Sequence, residues 1–288
     1  MSASSDRAAG SVAWLCAGRT IPLDRPRVMG ILNVTPDSFS DGGCWIAPEA
    51  AVARGLELVA AGADILDIGG ESTRPGAEAV PADEELRRVE PVIRELARRT
   101  AAPLSVDTRH AAVARAALAA GACIVNDVSA LDDPAMAGVV RAAGAGLVLM
   151  HHRGLPVARH EAPRAGDVVA EVCAFLQERM ALAFAAGIDR GQVVIDPGLG
   201  FGKNTEQNLA LLGALERLAV LAPVLVGASR KRFIGEVTGA PVDGRLAGSL
   251  TVALWSVTRG AAILRVHDVA ATRQALDMAG ALAGRGEK

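Results

Sequence analysis

DILDIGG, residues 64–70, is the stretch that decides the predicted fold. It is apolar apart from two aspartates, and only Asp67 lies inside the run. ILNV at 31–34, VLVG at 224–227 and AILRV at 262–266 have the same character. Strands of parallel sheets are continuously apolar in this way because helices cover both faces. The stretch therefore predicts a parallel sheet, and the few polar residues in such strands become candidates for function.

Units of this kind follow one another along the chain, each an apolar strand, a polar or glycine-rich turn and a stretch of helical period. The strands are predicted at 28–34, 64–70, 104–107, 123–128, 146–151, 193–196, 223–227 and 261–266. Amphipathic helices are predicted between them, among others at 47–61, 83–99, 167–186 and 246–259. Repeated β-then-α order favours an α/β fold of the closed (β/α)8 TIM-barrel type over a doubly wound sheet, and about 250 residues suffice for it.

The domain prediction follows from this count. Residues 28–288 form the catalytic barrel, and residues 1–27 form an N-terminal extension that covers it. A β-hairpin made by residues 12–16 and 20–22 is one form that this cover can take.

Composition narrows the class of protein. The 288 residues carry a formal net charge of −2 and are 51% hydrophobic, which indicates a folded core and no general nucleic-acid binder. The four cysteines form no CxxC pair, so a zinc ribbon is excluded and a reducing compartment is expected. No apolar run reaches the roughly 20 residues of a membrane span. We expect a cytoplasmic enzyme that acts on small molecules and has no membrane or nucleic-acid partner.

Polar side chains end nearly every predicted strand, where the active sites of such barrels lie. They are Asn33, Asp67, Glu71, Asp107, Asn126, Asp127, His151, His152, Asp196, Ser229, Arg230, Lys231, Arg265, His267 and Asp268. Any one of them can instead be a helix cap or a turn former, an alternative that stays open above all for Asp127, Ser229 and Asp268.

Taken together, these side chains predict a pocket with two ends. Carboxylates and amides on one side offer acceptors for an amidine-like N–H edge, and cations on the other side face an anion. Arg265 and His267 stand two residues apart, a spacing that directs both side chains to one face of a strand and lets them hold one anion. The alternative for this pair is an external salt bridge.

Glycine-rich and polar turns lie beside this pocket. DPGLGFGK at 196–203 lacks the Walker A spacing, so we interpret it as a loop that brings backbone close to a ligand, as Gly69 and Gly70 also permit. The loops at 33–43 and 71–76 are long and polar enough to act as lids.

Seven motifs together resemble the dihydropteroate synthase family of pterin-binding barrels. They are MGILNVTPDSFSDGG at 29–43, DILDIGGESTRPGA at 64–77, SVDT at 105–108, NDVSA at 126–130, IDPGLGFGK at 195–203, GASRKRFIG at 227–235 and RVHDV at 265–269. Pterin-binding methyltransferase barrels share the DIGGE and ND elements. The loop after the first strand, Ser-Arg-Lys and Arg-Val-His favour the synthase.

The resemblance implies a reaction and its sites. 6-Hydroxymethyl-7,8-dihydropterin pyrophosphate would condense with 4-aminobenzoate by a dissociative substitution, giving 7,8-dihydropteroate and pyrophosphate. The pterin site it implies is Asp107, Asn126, Val128, Met150, Asp196, Phe201 and Lys231. The pyrophosphate site is Asn33, Thr73, Arg265 and His267, with Mg2+ bound by Asn33. The 4-aminobenzoate site, where sulfonamides would compete, is Phe39, Thr73, Arg74, Pro75, Phe201 and Lys231.

Asp107, Lys231, Arg265, His267 and Asp37 are the catalytic residues that the resemblance implies. A homodimer is implied as well, and the apolar stretch at 250–255 suits either that interface or packing on the barrel. Two residues have no assigned role. Arg232 stands where some relatives carry a small hydroxyl residue, and His152 has the pattern of a surface histidine.

Three alternatives are weighed against the synthase. A methyltransferase barrel has no clear use for Arg265 and His267, although its corrinoid domain can reside on another subunit. A catalytically idle pterin-binding paralogue remains open. A zinc hydrolase barrel is disfavoured because no His-x-His occurs and the adjacent His151 and His152 should point in opposite directions.

Overall fold

A β-hairpin begins the part of the chain that the computed structural model describes, which comprises residues 13–35, 48–71, 80–154 and 166–284. Strand β1 (Ala13–Cys16) pairs antiparallel with β2 (Arg19–Pro22). The two turn residues between them, Ala17 and Gly18, both have positive φ, as a tight two-residue hairpin requires. The predicted hairpin is confirmed.

Eight parallel strands then close into a barrel in the order β10-β3-β4-β5-β6-β7-β8-β9. Their bounds are β3 Arg27–Asn33, β4 Ile65–Gly69, β5 Leu104–Asp107, β6 Ile124–Asp127, β7 Gly146–Met150, β8 Val193–Asp196, β9 Val224–Val226 and β10 Ala261–Val266. Each predicted strand is present, with ends that differ by a residue at most. The predicted TIM barrel is confirmed.

Helices surround the barrel, and nearly every residue of the strands is buried beneath them. In the described part of the chain they are α1 Pro48–Ala60, α2 Ala82–Arg99, α3 Ala111–Ala120, α4 Met136–Ala143, α5 Val168–Ala185, α6 Thr205–Gly213, α7 Leu215–Ala219, α8 Arg232–Thr238, α9 Leu246–Thr258 and α10 Val269–Leu282. Side chains cap the amino ends of α5 and α6. The Asp167 carboxylate accepts from the first amides of α5, and α3 ends on left-handed Gly121. None of the described helices is long and apolar enough to cross a bilayer.

The hairpin fills the amino-terminal mouth of the barrel. Trp14, Cys16 and Ile21 pack in one cluster with the inward-facing residues at the lower ends of the strands. Nε1 of Trp14 donates a 2.7 Å hydrogen bond to the carbonyl of Gln192, just before β8. Among the residues that the structure describes, the hairpin thus closes this end, which leaves the carboxyl ends of the strands as the open side of the barrel.

Candidate active site

The register of the strands places three predicted site residues on one rim. In the strand register, Asn33 of β3 pairs with Gly69 of β4, and Gly69 pairs with Asp107 of β5. Asp107 in turn pairs with Asn126 of β6. Asp107 and Asn126 are both buried. This is the rim at which the active sites of such barrels form.

A half-buried cation lies between two carboxylates at the centre of this rim. Nε of Arg265 donates to Oδ2 of Asp67 at 2.6 Å, and its Nη2 donates to Oδ2 of Asp107 at 2.5 Å. Although burial opposes its charge, Asp67 and Asp107 raise the pKa of Arg265. Burial raises the pKa of Asp107, while Arg265 opposes that change. The guanidinium therefore offsets the cost of burying two neighbouring carboxylates.

This arrangement corrects the prediction of separate acidic and cationic ends. Arg265 turns into the barrel towards the carboxylates, whereas Nδ1 of His267 lies 3.1 Å from Oγ of Ser229. The two side chains thus have different protein partners, because β10 ends at Val266 and His267 is no longer part of the strand. Within the described residues, Nη1 of Arg265 makes no hydrogen bond and is available to an anion.

Asp196 and Lys231 form the opposite wall. Oδ1 of buried Asp196 accepts from the amide of Gly198 at 2.7 Å, and burial raises the pKa of this aspartate although Lys231 opposes the shift. Nζ of Lys231 donates to the carbonyl of Leu199 and lies 4.7 Å from the centre of the Phe201 ring. Burial lowers the pKa of Lys231 to about 8, with Asp196 acting against that change. An acceptor, a cation and an aromatic face are therefore brought together here.

Apolar side chains line the same end of the barrel. Val128 follows β6 and is 5% exposed, and Met150 ends β7 and is 3% exposed. Met150 is in register with Asp196. Both lie where a slot for a flat ring was predicted.

The glycine-rich loop after β8 packs closely against the neighbouring protein backbone. A Cβ atom on Gly198 would lie 1.8 Å from the carbonyl oxygen of His151, so only glycine fits there. Lys203, the last residue of the DPGLGFGK motif, donates from within the loop to the carbonyls of Gly198 and Phe201 at 2.8 and 3.2 Å. Burial lowers the pKa of Lys203 to about 7. The loop is thus held from inside by a lysine.

Several predicted positions prove structural. Both carboxylate oxygens of Asp127 accept from the turn that follows β6, at Ser129 and Leu131, which bears out its interpretation as a turn former. The Arg230 side chain is 41% exposed and pairs with Asp268 at 2.5 Å.

Two residues without a predicted role are now placed. The Arg232 side chain is 74% exposed and pairs with Glu236, one turn later in α8. His152 is not on the surface: its side chain is 8% exposed, and Nε2 lies 3.1 Å from the carbonyl of Ser129. His151 and His152 do not point in opposite directions either, since both rings make T-shaped contacts with Phe175. The side-chain alternation of a strand does not apply to them, because β7 ends at Met150.

A second polar cluster joins the residues that follow β4 and β5 to helix α2. Arg109 donates to both carboxylate oxygens of Glu71 at 3.0 Å, and Nδ1 of His110 lies 2.8 Å from Oε2 of Glu85. A Cβ atom on Gly70 would meet Val89 and Glu85 of α2 at 2.9 and 3.1 Å. Gly70 therefore allows close contact with helix α2. Of the four side chains in this cluster, only Glu71 was among the predicted rim residues, and no pattern linked it to Glu85, Arg109 or His110.

Five predicted site residues lie outside the described residues. They are Asp37, Phe39, Thr73, Arg74 and Pro75.

The chain matches the family model described as "Pterin binding enzyme" over residues 29–267. It is 51% identical to the dihydropteroate synthase of Mycobacterium leprae over 264 residues, 88% of this chain and 93% of the relative. The chain belongs to the dihydropteroate synthase family. The barrel with its buried acceptors is accordingly that of a transferase.

Solved dihydropteroate synthase structures agree with this assignment. The Xanthomonas albilineans enzyme, solved with 4-aminobenzoic acid, superposes with a TM-score of 0.89 at 56% identity, over 95% of this chain and 98% of that one. The Yersinia pestis enzyme in complex with a sulfonamide drug superposes with a TM-score of 0.89 at 42% identity, over 94% and 99% of the two chains. The methyltransferase alternative is therefore set aside.

Proposed function

We propose that this pocket condenses 6-hydroxymethyl-7,8-dihydropterin pyrophosphate with 4-aminobenzoate to give 7,8-dihydropteroate and pyrophosphate. The observation that carries the proposal is the set of buried acceptors, Asp107, Asn126 and Asp196, that surrounds Arg265 and Lys231 at the open end of the barrel. Acceptors of this kind suit the N–H groups of a pterin, and cations suit a pyrophosphate. An X. albilineans relative solved with 7,8-dihydropteroate, at 54% identity, supports the choice of product.

The pterin is proposed to bind between Asp196 and the rim of β5 and β6. A buried carboxylate with one oxygen already paired to Gly198 retains lone pairs for a ring N–H and an exocyclic amine. The full proposed set is Asp107, Asn126, Val128, Met150, Asp196, Phe201 and Lys231. A ligand without these donors would leave buried acceptors unpaired, which favours pterins over other flat rings.

The pyrophosphate is proposed to lie at the β3 and β10 side of the rim, on Asn33, Thr73, Arg265 and His267. Arg265 can offer Nη1 without leaving its two carboxylates. The oxygen donors here, the half-buried Asn33 amide and the unpaired Oδ1 of Asp67, are of the kind that Mg2+ prefers. Asn33 would hold such an ion, which when bound neutralises charge on the departing pyrophosphate.

The bond to pyrophosphate is proposed to break before the arylamine attacks. Departure of pyrophosphate leaves a dihydropterin cation, which the carboxylates of Asp107 and Asp37 would stabilise. Arg265 and His267 would stabilise the departing anion, and Lys231 would orient the second substrate. The arylamine nitrogen then bonds to the exocyclic methylene carbon and loses a proton to solvent.

The 4-aminobenzoate site is proposed to consist of Phe39, Thr73, Arg74, Pro75, Phe201 and Lys231. The half-buried Phe201 ring under the Lys231 ammonium offers an aromatic face and a cation to an aromatic carboxylate. The ligands of the X. albilineans and Y. pestis enzymes support 4-aminobenzoate as substrate and sulfonamides as its competitors.

The decisive experiment follows labelled 4-aminobenzoate into dihydropteroate with the purified chain, the pterin pyrophosphate and Mg2+. We expect label in dihydropteroate and restored growth of a strain that lacks its own synthase. A folded protein that forms no labelled product would revive the idle paralogue. Asp196→Asn should lower kcat/KM for the pterin substrate by about 10-fold or more. Asp268→Asn, which changes a carboxylate outside the pocket, should stay near wild type.

We also propose a cytoplasmic homodimer. Cys16, Cys123 and Cys173 are free thiols, which suits a reducing compartment. Trp255 and Leu246 of α9 remain 45% and 39% exposed, an apolar surface that a second copy can cover. Sedimentation equilibrium should give twice the chain mass, and Trp255→Glu should shift it towards one chain mass.

A further inference from the structure

Asp67 is a wholly buried carboxylate of the rim, and the proposed pterin site includes no contact with it. It lies on β4 with none of its surface exposed. Its Oδ2 accepts from Nδ2 of Asn126 at 3.0 Å and from Nε of Arg265 at 2.6 Å. Burying such a group is costly, so its retention calls for a reason.

The contact with Asn126 has a fixed direction. The two ends of an asparagine amide differ, since Nδ2 only donates and Oδ1 only accepts. A carboxylate paired with a guanidinium accepts and does not donate. Asn126 must therefore turn Nδ2 towards Asp67 and Oδ1 away from it. Among the residues described, Asn126 makes no other side-chain hydrogen bond, so Oδ1 is left for a ligand.

We propose that Asp67 is a positioning residue that holds Asn126 as a hydrogen-bond acceptor for the pterin. The inference rests on the proposed role of Asn126 as a pterin ligand. Without Asp67 the amide can rotate by half a turn and present Nδ2 to the pterin, where a donor would meet the donors of the substrate. Asp67 thus acts on pterin binding through Asn126 and touches no substrate.

The contact of Asp67 with Arg265 has to be separated from its contact with Asn126. Arg265 is assigned to the pyrophosphate, so a pterin that lacks pyrophosphate reports mainly on Asn126. The probe is 6-hydroxymethyl-7,8-dihydropterin, and its dissociation constant is measured by calorimetry on the full chain.

In Asp67→Asn, the new amide can accept from Arg265 and donate to Oδ1 of Asn126, which favours the rotated amide. We expect the probe to bind about 10-fold more weakly or worse, as for a buried polar contact that becomes unpaired. Unchanged affinity in this variant would overturn the inference.

The exchange variant Asp67→Asn/Asn126→Asp distinguishes positioning from mere folding. Its amide at position 67 donates to the carboxylate at 126, whose second oxygen again faces the ligand as an acceptor. We expect the exchange to recover most of the affinity that Asp67→Asn loses. A folded exchange variant that binds no better than Asp67→Asn would contradict the inference, and thermal unfolding of each variant shows which are folded.

Asn126→Ala separates this inference from the proposed function on which it rests. If the probe binds Asn126→Ala as it binds wild type, Asn126 is not a pterin ligand, and the proposed site falls together with the inference. If Asn126→Ala weakens binding while Asp67→Asn does not, the proposed site stands and only the positioning role of Asp67 is wrong.

Discussion

At the scale of single residues, Lys203 is a buried ammonium inside the glycine loop. Burial lowers its pKa to about 7 in the folded protein, against 10.5 for a free lysine. At pH values between these two pKa values, the unfolded chain therefore keeps a proton that the folded chain has released. Folding stability contributed by this group must rise with pH across that window.

Lys203→Met should remove this pH dependence. From pH 7 to pH 9, we expect the unfolding free energy of wild type to rise by about 2 kcal/mol relative to that of the variant. Urea unfolding at the two pH values measures it. Parallel pH profiles of the two proteins would show that Lys203 titrates normally.

The pKa of Lys231 predicts an upper pH limit on activity. Its pKa of about 8 means that the free enzyme loses this cation as the pH rises through 8. We expect kcat/KM for 4-aminobenzoate to fall along that limb, since kcat/KM reports on groups of the free enzyme. In Lys231→Arg the limb near pH 8 should disappear whatever the absolute rate, because arginine stays charged. A limb retained in that variant would belong to another group.

At the scale of elements, the loop between β8 and α6 depends on one close approach. Gly198 has φ of +64°, and a Cβ atom there would lie 1.8 Å from the His151 carbonyl. Gly198→Ala should therefore lower stability by more than the roughly 1–2 kcal/mol of a left-handed alanine and should weaken pterin binding through Asp196.

Gly138 is the matched control for that substitution. It lies inside α4, and a Cβ atom there meets nothing within 4 Å. Gly138→Ala should stabilise the protein by about 1 kcal/mol and leave binding unchanged. Chemical unfolding of both variants gives the two values. Equal effects at the two glycines would rule out a special role for the loop geometry.

The elements themselves were largely predictable. The hydrophobic pattern located every barrel strand, because a strand that is covered on both faces appears in the sequence as a continuous apolar run. It failed where a strand stops, as at His151 and His152, which share Phe175 because Met150 is the last residue of β7. It gave no sign that Gly70 contacts Glu85 of α2, 15 residues further along the chain.

At the scale of the whole molecule, the hairpin and the pocket occupy opposite mouths of one barrel. Trp14 is 1% exposed and fills the lower mouth. Trp14→Ala should cost about 3–5 kcal/mol of stability, yet pterin affinity should stay close to wild type. Leu15→Ala, one residue further on and 41% exposed, should cost far less. A pterin affinity that falls with Trp14→Ala at a temperature where the variant is folded would show that the two ends are coupled.

The sequence by itself determined the strands, the helices, their order and the polar residues at the open rim, because burial periodicity and turn chemistry act over a few residues. Only the tertiary structure decided the partners of those polar residues. Arg265 pairs with Asp67, 198 positions away, whereas His267 lies beside Ser229. That choice arises from closure of the barrel, which brings β10 next to β3 and leaves the guanidinium within reach of two buried carboxylates. No local sequence pattern shows which distant charged residues will lie in one cavity. The same barrel closure brings Asp67 into contact with Asn126.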